Sequence, residues 1–186
     1  LRRPGLAGYL DRQDVVRSSA GYTVRIARGQ RWAEPLGDLI GRVLARDLGQ
    51  RLPGTTVFSA GGALSAEPAL RIDLDIQRFD ADPGVPGQVV LRAQYDLRPA
   101  RGGTQTVCPF ETRLPMAGDG ATFQAAAMSA ALGRLADRMA AGLREAGVGA
   151  RPDPRCDTQL AAYLVPRTFP APSAAELRQR LKTALP

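Results

Sequence analysis

A chain of 186 residues, 44% of them hydrophobic, is long enough to close one core, and with 5% aromatics that core must be mostly Leu, Ile, Val and Ala. Histidine is absent and Lys182 is the one lysine, which excludes a His general base, a His metal ligand and a Ser-His-Asp triad. The net charge of +7, nearly all arginine, favours anionic partners: phospholipid head groups, acidic protein faces or nucleic acid. A genomic preference for Arg over Lys explains most of the skew but leaves the charge in place.

Residues 1–13 read as an irregular lead-in. Residues 15–17 and 22–27 flank the turn-rich Ser18-Ser19-Ala20-Gly21 and predict a short hairpin. Pro35 suits a first helical turn, and Leu36, Leu39, Ile40, Val43, Leu44, Leu48 and Leu52 follow on one stripe until Pro53-Gly54. Residues 56–59 read as a short strand. Leu70, Ile72, Leu74 and Ile76 then alternate with Arg71, Asp73, Asp75 and Gln77, and Val89, Leu91, Ala93, Tyr95 and Leu97 alternate with Arg92, Gln94, Asp96 and Arg98. A third strand is expected over 106–114, where Pro109 points to an edge position or a bulge.

These strands, joined by turns at 82–87 and 99–103, predict an antiparallel meander. A second helix is expected over 122–146, with Met128, Leu132, Leu135, Met139 and Leu143 on its apolar stripe. The expected fold class is α+β: an antiparallel β-sheet with two long α-helices packed on one face, in β-α-β-β-β-α-like order. The division is an α+β domain over 1–149 and a Pro-rich C-terminal tail over 150–186, with 174–185 patterned for a short amphipathic helix. No run is long enough for a membrane span. The first residue is Leu rather than Met, so a processed or trimmed chain is expected, with any export signal upstream.

Gly8-Tyr9-Leu10-Asp11-Arg12-Gln13, followed by a strand pair and Arg31-Trp32-Ala33-Glu34-Pro35-Leu36 at a helix start, resembles the ABC-type transport auxiliary lipoprotein family, the PqiC-like proteins. The later order fits too: an alternating strand near 72–79, Tyr95 in the next strand, and a Met-Ala-Gly-Asp-Gly turn before an Ala-rich helix. The resemblance covers roughly residues 4–146. It implies a periplasmic protein anchored, usually at the outer membrane, by a lipidated N-terminal cysteine. It also implies partners: an MCE-domain protein and an inner-membrane ABC or permease complex, which together move lipid or maintain the envelope. Some members assemble into rings. The lipidated cysteine and the usual first strand are not in this sequence, and the tail after residue 150 is not a family feature.

Each candidate site residue has a plainer reading beside its functional one. Trp32 is an anchor for a partner or neighbouring subunit, or, as we favour, a packing residue at the helix start. Arg31 and Glu34 make an intersubunit ion pair or solvate the helix entrance. Tyr9, Leu10, Asp11 and Arg12 form a contact loop, or Tyr9 and Leu10 tuck under the sheet while Asp11 caps a turn. Asp73 and Asp75 share a strand face as an acid–base pair would, but alternation already places them on the solvent side. Gly118-Asp119-Gly120 lacks the P-loop lysine and spacing and reads as a turn with a helix cap. Cys108 and Cys156 fit no metal motif; two thiols are the default and a disulfide the alternative.

No catalytic residue, metal or cofactor is expected. The leading functional reading is a non-catalytic lipoprotein component that docks to partner proteins and self-assembles. The competing readings are a basic nucleic-acid-binding module and, further off, a His-free periplasmic enzyme. The mixture of Asp73, Asp75 and Asp96 with Arg71, Arg92 and Arg98 on the strand faces disfavours nucleic acid.

Overall fold

A computed structural model describes residues 1–20, 23–59, 68–99 and 106–147. Its elements in chain order are β1 (Gly5–Leu6), β2 (Asp14–Ala20), β3 (Thr23–Arg31), α1 (Leu36–Arg51), β4 (Leu70–Ala81), β5 (Gln88–Pro99), β6 (Thr106–Pro115) and α2 (Ala121–Gly147). The strands form one sheet in the order β3-β2-β4-β5-β6, with β1 also against β4.

The meander is the part that alternation dictates. Ile72, Leu74, Ile76 and Phe79 of β4 stand opposite Leu97, Tyr95, Ala93 and Leu91 of β5, and Tyr95 and Val89 in turn face Cys108 and Leu114 of β6. A register shift between Ile76 and Arg78 keeps Phe79 on the inward row after the run of strict alternation ends. This row shares one hydrophobic core with Ile40, Leu44 and Leu48 of α1 and Met128, Leu132, Leu135 and Met139 of α2. Both helices thus seal the same face, as two apolar stripes and one apolar sheet face require.

The sheet is mixed rather than purely antiparallel. Residues 2–7 run parallel to β4: Arg2 N–H donates to Ile72 O at 3.0 Å and Ala7 N–H to Ile76 O at 2.9 Å. After an excursion over residues 8–13 the chain rejoins β4 through β2, where Ser18 pairs with Ala81. The lead-in expected to be irregular therefore completes the sheet, its polar backbone satisfied by the open edge of β4. The strand expected at 56–59 is absent. That segment joins no ladder, although Val57 still packs against the core. The expected helix at 174–185 lies outside the described residues, as does all of the tail beyond residue 147.

The outer face of the meander carries two ion-pair networks. Asp73 lies between Arg2 (3.4 Å) and Arg98 (3.7 Å), and Arg98 also holds Asp96 at 2.5 Å. Beside it, Arg92, Glu111, Arg113, Asp82, Arg78 and Asp80 form a continuous chain of contacts between 2.6 and 3.8 Å. Asp80 and Asp96 are buried and Asp75 is exposed, so this outward row is only partly wet.

Candidate functional site

The structure brings the two marked sequence segments together at one end of the sheet. Trp32 N–H donates to Gln13 O at 2.8 Å, joining the end of β3 to the loop that precedes β2. The loop is itself tight: Leu10 N–H donates to Ala7 O and Arg12 N–H to Leu10 O, both at 2.8 Å. Leu10, 1% exposed, is the peg that fixes this loop in the core. Tyr9 packs half-buried beside it.

The Tyr9 hydroxyl is buried. Ser19 and the Phe79 backbone lie near it, but no hydrogen bond of normal geometry forms. Burial, and then the charge of Asp80, push its pKa up. Asp80 Oδ2 is likewise without a partner.

Charges link the loop to α1. Arg3 reaches Asp38 in the first turn of α1 at 2.8 Å and Asp11 in the loop at 3.6 Å. Arg31 faces Asp14 at 3.6 Å across the hairpin, and Arg42 bonds Glu34 through Nη1 at 3.0 Å. Glu34 therefore pairs within its own chain. Trp32 is half-buried against the core. Arg12 is exposed and has no partner.

Sequence reading missed Arg3 and Asp38, which tie the segments together, and it missed the residue that fixes β2 to α2. Gln124, fully buried in the first turn of α2, donates through Nε2 to Val16 O at 2.7 Å and accepts from Arg17 Nη1 at 2.9 Å. Val16 pairs with Ile26 and Ser18 with Arg25, so Arg17 is an extra residue on β2. The bulge turns Arg17 toward α2. A lone Gln among small residues at a helix start was the available signal. Asp119 caps nothing; Gly120 takes the turn at φ +114°, and its carbonyl accepts from Gln124 N–H at 3.1 Å.

A recess of about 360 Å³ opens beside this clamp, lined by Arg17, Ala27, Gln30, Gly120, Ala121 and Thr122. No group of His, Cys, Asp and Glu among the described residues is placed to hold a metal ion, and no described helix is long and apolar enough to cross a membrane. Cys108 is buried in β6 and no free cysteine is found among the described residues. Cys156 lies outside them.

The domain is a two-layer α+β fold whose marked residues lock two loops to a helix start. Residues 1–140 match the family described as ABC-type transport auxiliary lipoprotein component, and the chain belongs to that family. Two solved structures share the fold. One, described only as an uncharacterized protein, aligns with a TM-score of 0.66 at 20% identity over 76% of this chain and 88% of its own. The other, protein XCC0632 from Xanthomonas campestris of family DUF330, aligns with a TM-score of 0.61 at 16% identity over 76% of this chain and 80% of its own. The comparison with curated proteins finds no significant match.

Proposed function

We propose that this chain is a non-catalytic docking component of an MCE-type lipid transport or envelope-maintenance system, held in the periplasm at the outer membrane. In this reading a lipid upstream of Leu1 supplies the anchor. Copies of the domain assemble beside an MCE-domain protein and its inner-membrane ABC or permease complex. One short acyl chain binds a bilayer only marginally, so several acyl chains or several linked copies are needed for a stable hold.

The observation that carries the reading is the family match over residues 1–140, in a fold that spends its two marked segments on a shared surface. On that surface Asp11, Arg12 and Arg31 are exposed and available to a partner, while Leu10, Tyr9, Trp32 and the Glu34–Arg42 pair hold them in place.

The test is co-purification of the MCE-domain protein with tagged full-length precursor from cell envelopes. The unaltered protein is expected to bring it down, and Arg12→Glu with Arg31→Glu is expected to abolish recovery while leaving the circular dichroism spectrum unchanged. Failure of the unaltered protein to recover the partner overturns the reading. Full recovery with the double variant moves the contact away from this surface.

A further inference from the structure

We infer that the concave surface between the β2–β3 hairpin and the start of α2 is a docking site for an acidic segment of a partner protein. This deepens the docking role proposed above and concerns a neighbouring surface, on the side of the hairpin that faces the start of α2.

The argument starts from charge pairing. Of the carboxylates whose side chains are described, only Asp75 and Asp119 lack an arginine partner. The outer sheet face is therefore neutralised by its own residues. The hairpin is not. Arg25 and Arg28 are exposed with no partner, and Arg17 touches only the neutral amide of Gln124. Other arginines without a carboxylate partner, such as Arg12, Arg71 and Arg134, are scattered over other elements, whereas Arg17, Arg25 and Arg28 share one hairpin.

That element is also shaped to receive something. β3 is an edge strand, and between Ile26 and Arg31 it carries four residues opposite the single Val15 of β2. It bows outward there, with Gly29 at φ +71°. The recess of about 360 Å³ lies where Ala27 and Gln30 of the bow face residues 120–122, with half-buried Arg17 in its wall. Ile26 and Phe123, 41% and 43% exposed, adjoin these lining residues in sequence and offer apolar contact beside the charge. The other sheet edge, β6, carries Pro109 and Pro115, which deny a partner two backbone donors.

Other occupants fit less well. A flat bilayer reaches Arg25 and Arg28 but not Arg17 in the recess wall. A nucleic acid finds no aromatic platform along Thr23–Arg31. A second copy of the chain offers, among the described residues, only Asp75 and Asp119 as carboxylates without an arginine partner. The chain's own residues 148–186 carry Arg151, Arg155, Arg167, Arg178, Arg180 and Lys182 against Asp153, Asp157 and Glu176, the same sign as the hairpin. An acidic protein segment with an apolar residue near its carboxylates satisfies charge, shape and the exposed Ile26 together.

Charged edges and bulges also serve to prevent aggregation, which needs no ligand, so the test must show binding. The probe is a synthetic twelve-residue peptide of alternating Asp/Glu and Leu, titrated into the isotope-labelled full chain and followed by backbone amide shifts. We expect saturable shifts confined to residues 16–18, 24–31 and 120–124, and affinity falling steeply with added salt. Arg25→Glu with Arg28→Glu is expected to weaken binding about tenfold or more. Neither side chain has a partner to lose, so folding should be intact. Ala27→Trp, which fills the recess, should weaken binding while preserving the charge.

Absence of binding overturns the inference. So do shifts on the outer sheet face, or an Ala27→Trp variant that binds as well as the parent. Retention on vesicles of anionic phospholipid without binding of the peptide assigns the arginines to a membrane and also overturns it. No transporter is present in this experiment, so its outcome is independent of the co-purification above.

Discussion

The side-chain amide of Gln124 donates to the backbone carbonyl of Val16 at 2.7 Å, joining the first turn of α2 to a β2 residue where the ladder to β3 is interrupted. A bulge releases a carbonyl from regular pairing, and a buried carbonyl without a donor is costly. Gln124 answers both needs, since its own oxygen accepts from Arg17. Gln124→Leu keeps the volume and removes both bonds. It should lower stability by about 1–3 kcal/mol, seen as a lower denaturant midpoint at unchanged slope. Gln124→Glu restores only the acceptor for Arg17 and should remain destabilised. An unchanged midpoint in both variants would show that the clamp contributes nothing.

Tyr9 makes the opposite case. Its hydroxyl is buried without a hydrogen bond, close to Asp80, whose Oδ2 is also unpartnered. Removing an unsatisfied hydroxyl while keeping the ring should cost nothing and can stabilise by about 1 kcal/mol. Tyr9→Phe is therefore expected to unfold at the same or a higher temperature than the parent. A marked drop would reveal a water bridging Tyr9 and Asp80.

How much of this was legible in the sequence depends on the range of the interaction. The meander and both helices follow from local periodicity, and their inward rows match the alternation residue by residue from Ile72 to Ile76 and from Val89 to Tyr95. The pairing of residues 2–7 with β4 was hidden because a two-residue strand has no period to detect. The surface was half visible. The GYLDRQ and RWAEPL segments stand out as motifs, but the contact that joins them is a backbone hydrogen bond from Trp32 to Gln13, which no side-chain pattern encodes. Gln124 stood out only as a lone Gln at a helix start, because its value depends on a bulge many residues away.

Arg51 ties the C-terminal end of α1 to the middle and the last turns of α2. Its Nε lies 2.5 Å from Asp137, its Nη2 donates to Gly133 O at 3.3 Å, and its own carbonyl accepts from Arg144 at 2.6 Å. Hydrogen bonding to Asp137 is the largest influence raising its pKa. Arg51→Lys keeps the charge but loses the fork that reaches carboxylate and carbonyl together. Since Asp137 is largely exposed, we expect a loss of about 1 kcal/mol or less for the Asp137 pair, and faster amide exchange localised to the last turn of α1. Equal exchange rates in Arg51→Lys and parent would place the helix–helix link elsewhere.

Acid should loosen the outer sheet face first. The Gly84 backbone N–H, with Arg78 and Arg113 nearby, holds Asp82 below its ordinary value of 3.8, and Arg92 holds Glu111 below its ordinary value of 4.5. A depressed folded pKa means that the stabilisation is complete above those ordinary values and is lost as pH falls through the folded ones. The melting temperature should therefore be flat above about pH 5 and fall below the ordinary carboxylate range. Glu111→Gln should start lower and lose less on acidification. A variant that loses as much as the parent would remove Glu111 from the linkage.

Cys108 and Cys156 offer a sharper test of compartment. The connection over residues 116–120 is short, so α2 turns back across the sheet and its 27 residues, about 40 Å long, carry the chain toward the end where β6 begins. Cys108 sits near that beginning, on the inward row opposite Tyr95. Cys156 lies nine residues along the chain from Gly147, a reach of up to about 30 Å, so a bridge between the cysteines is sterically open. In an oxidising periplasm we expect it to form. Denatured, unreduced protein should then resist alkylation and weigh two hydrogens less than the dithiol. Reduction should lower stability by about 2–4 kcal/mol, with Cys156→Ser matching the reduced parent. Ready alkylation of both thiols in protein recovered from the periplasm would leave Cys108 as an inert buried thiol, with the tail tied to the domain by the backbone alone.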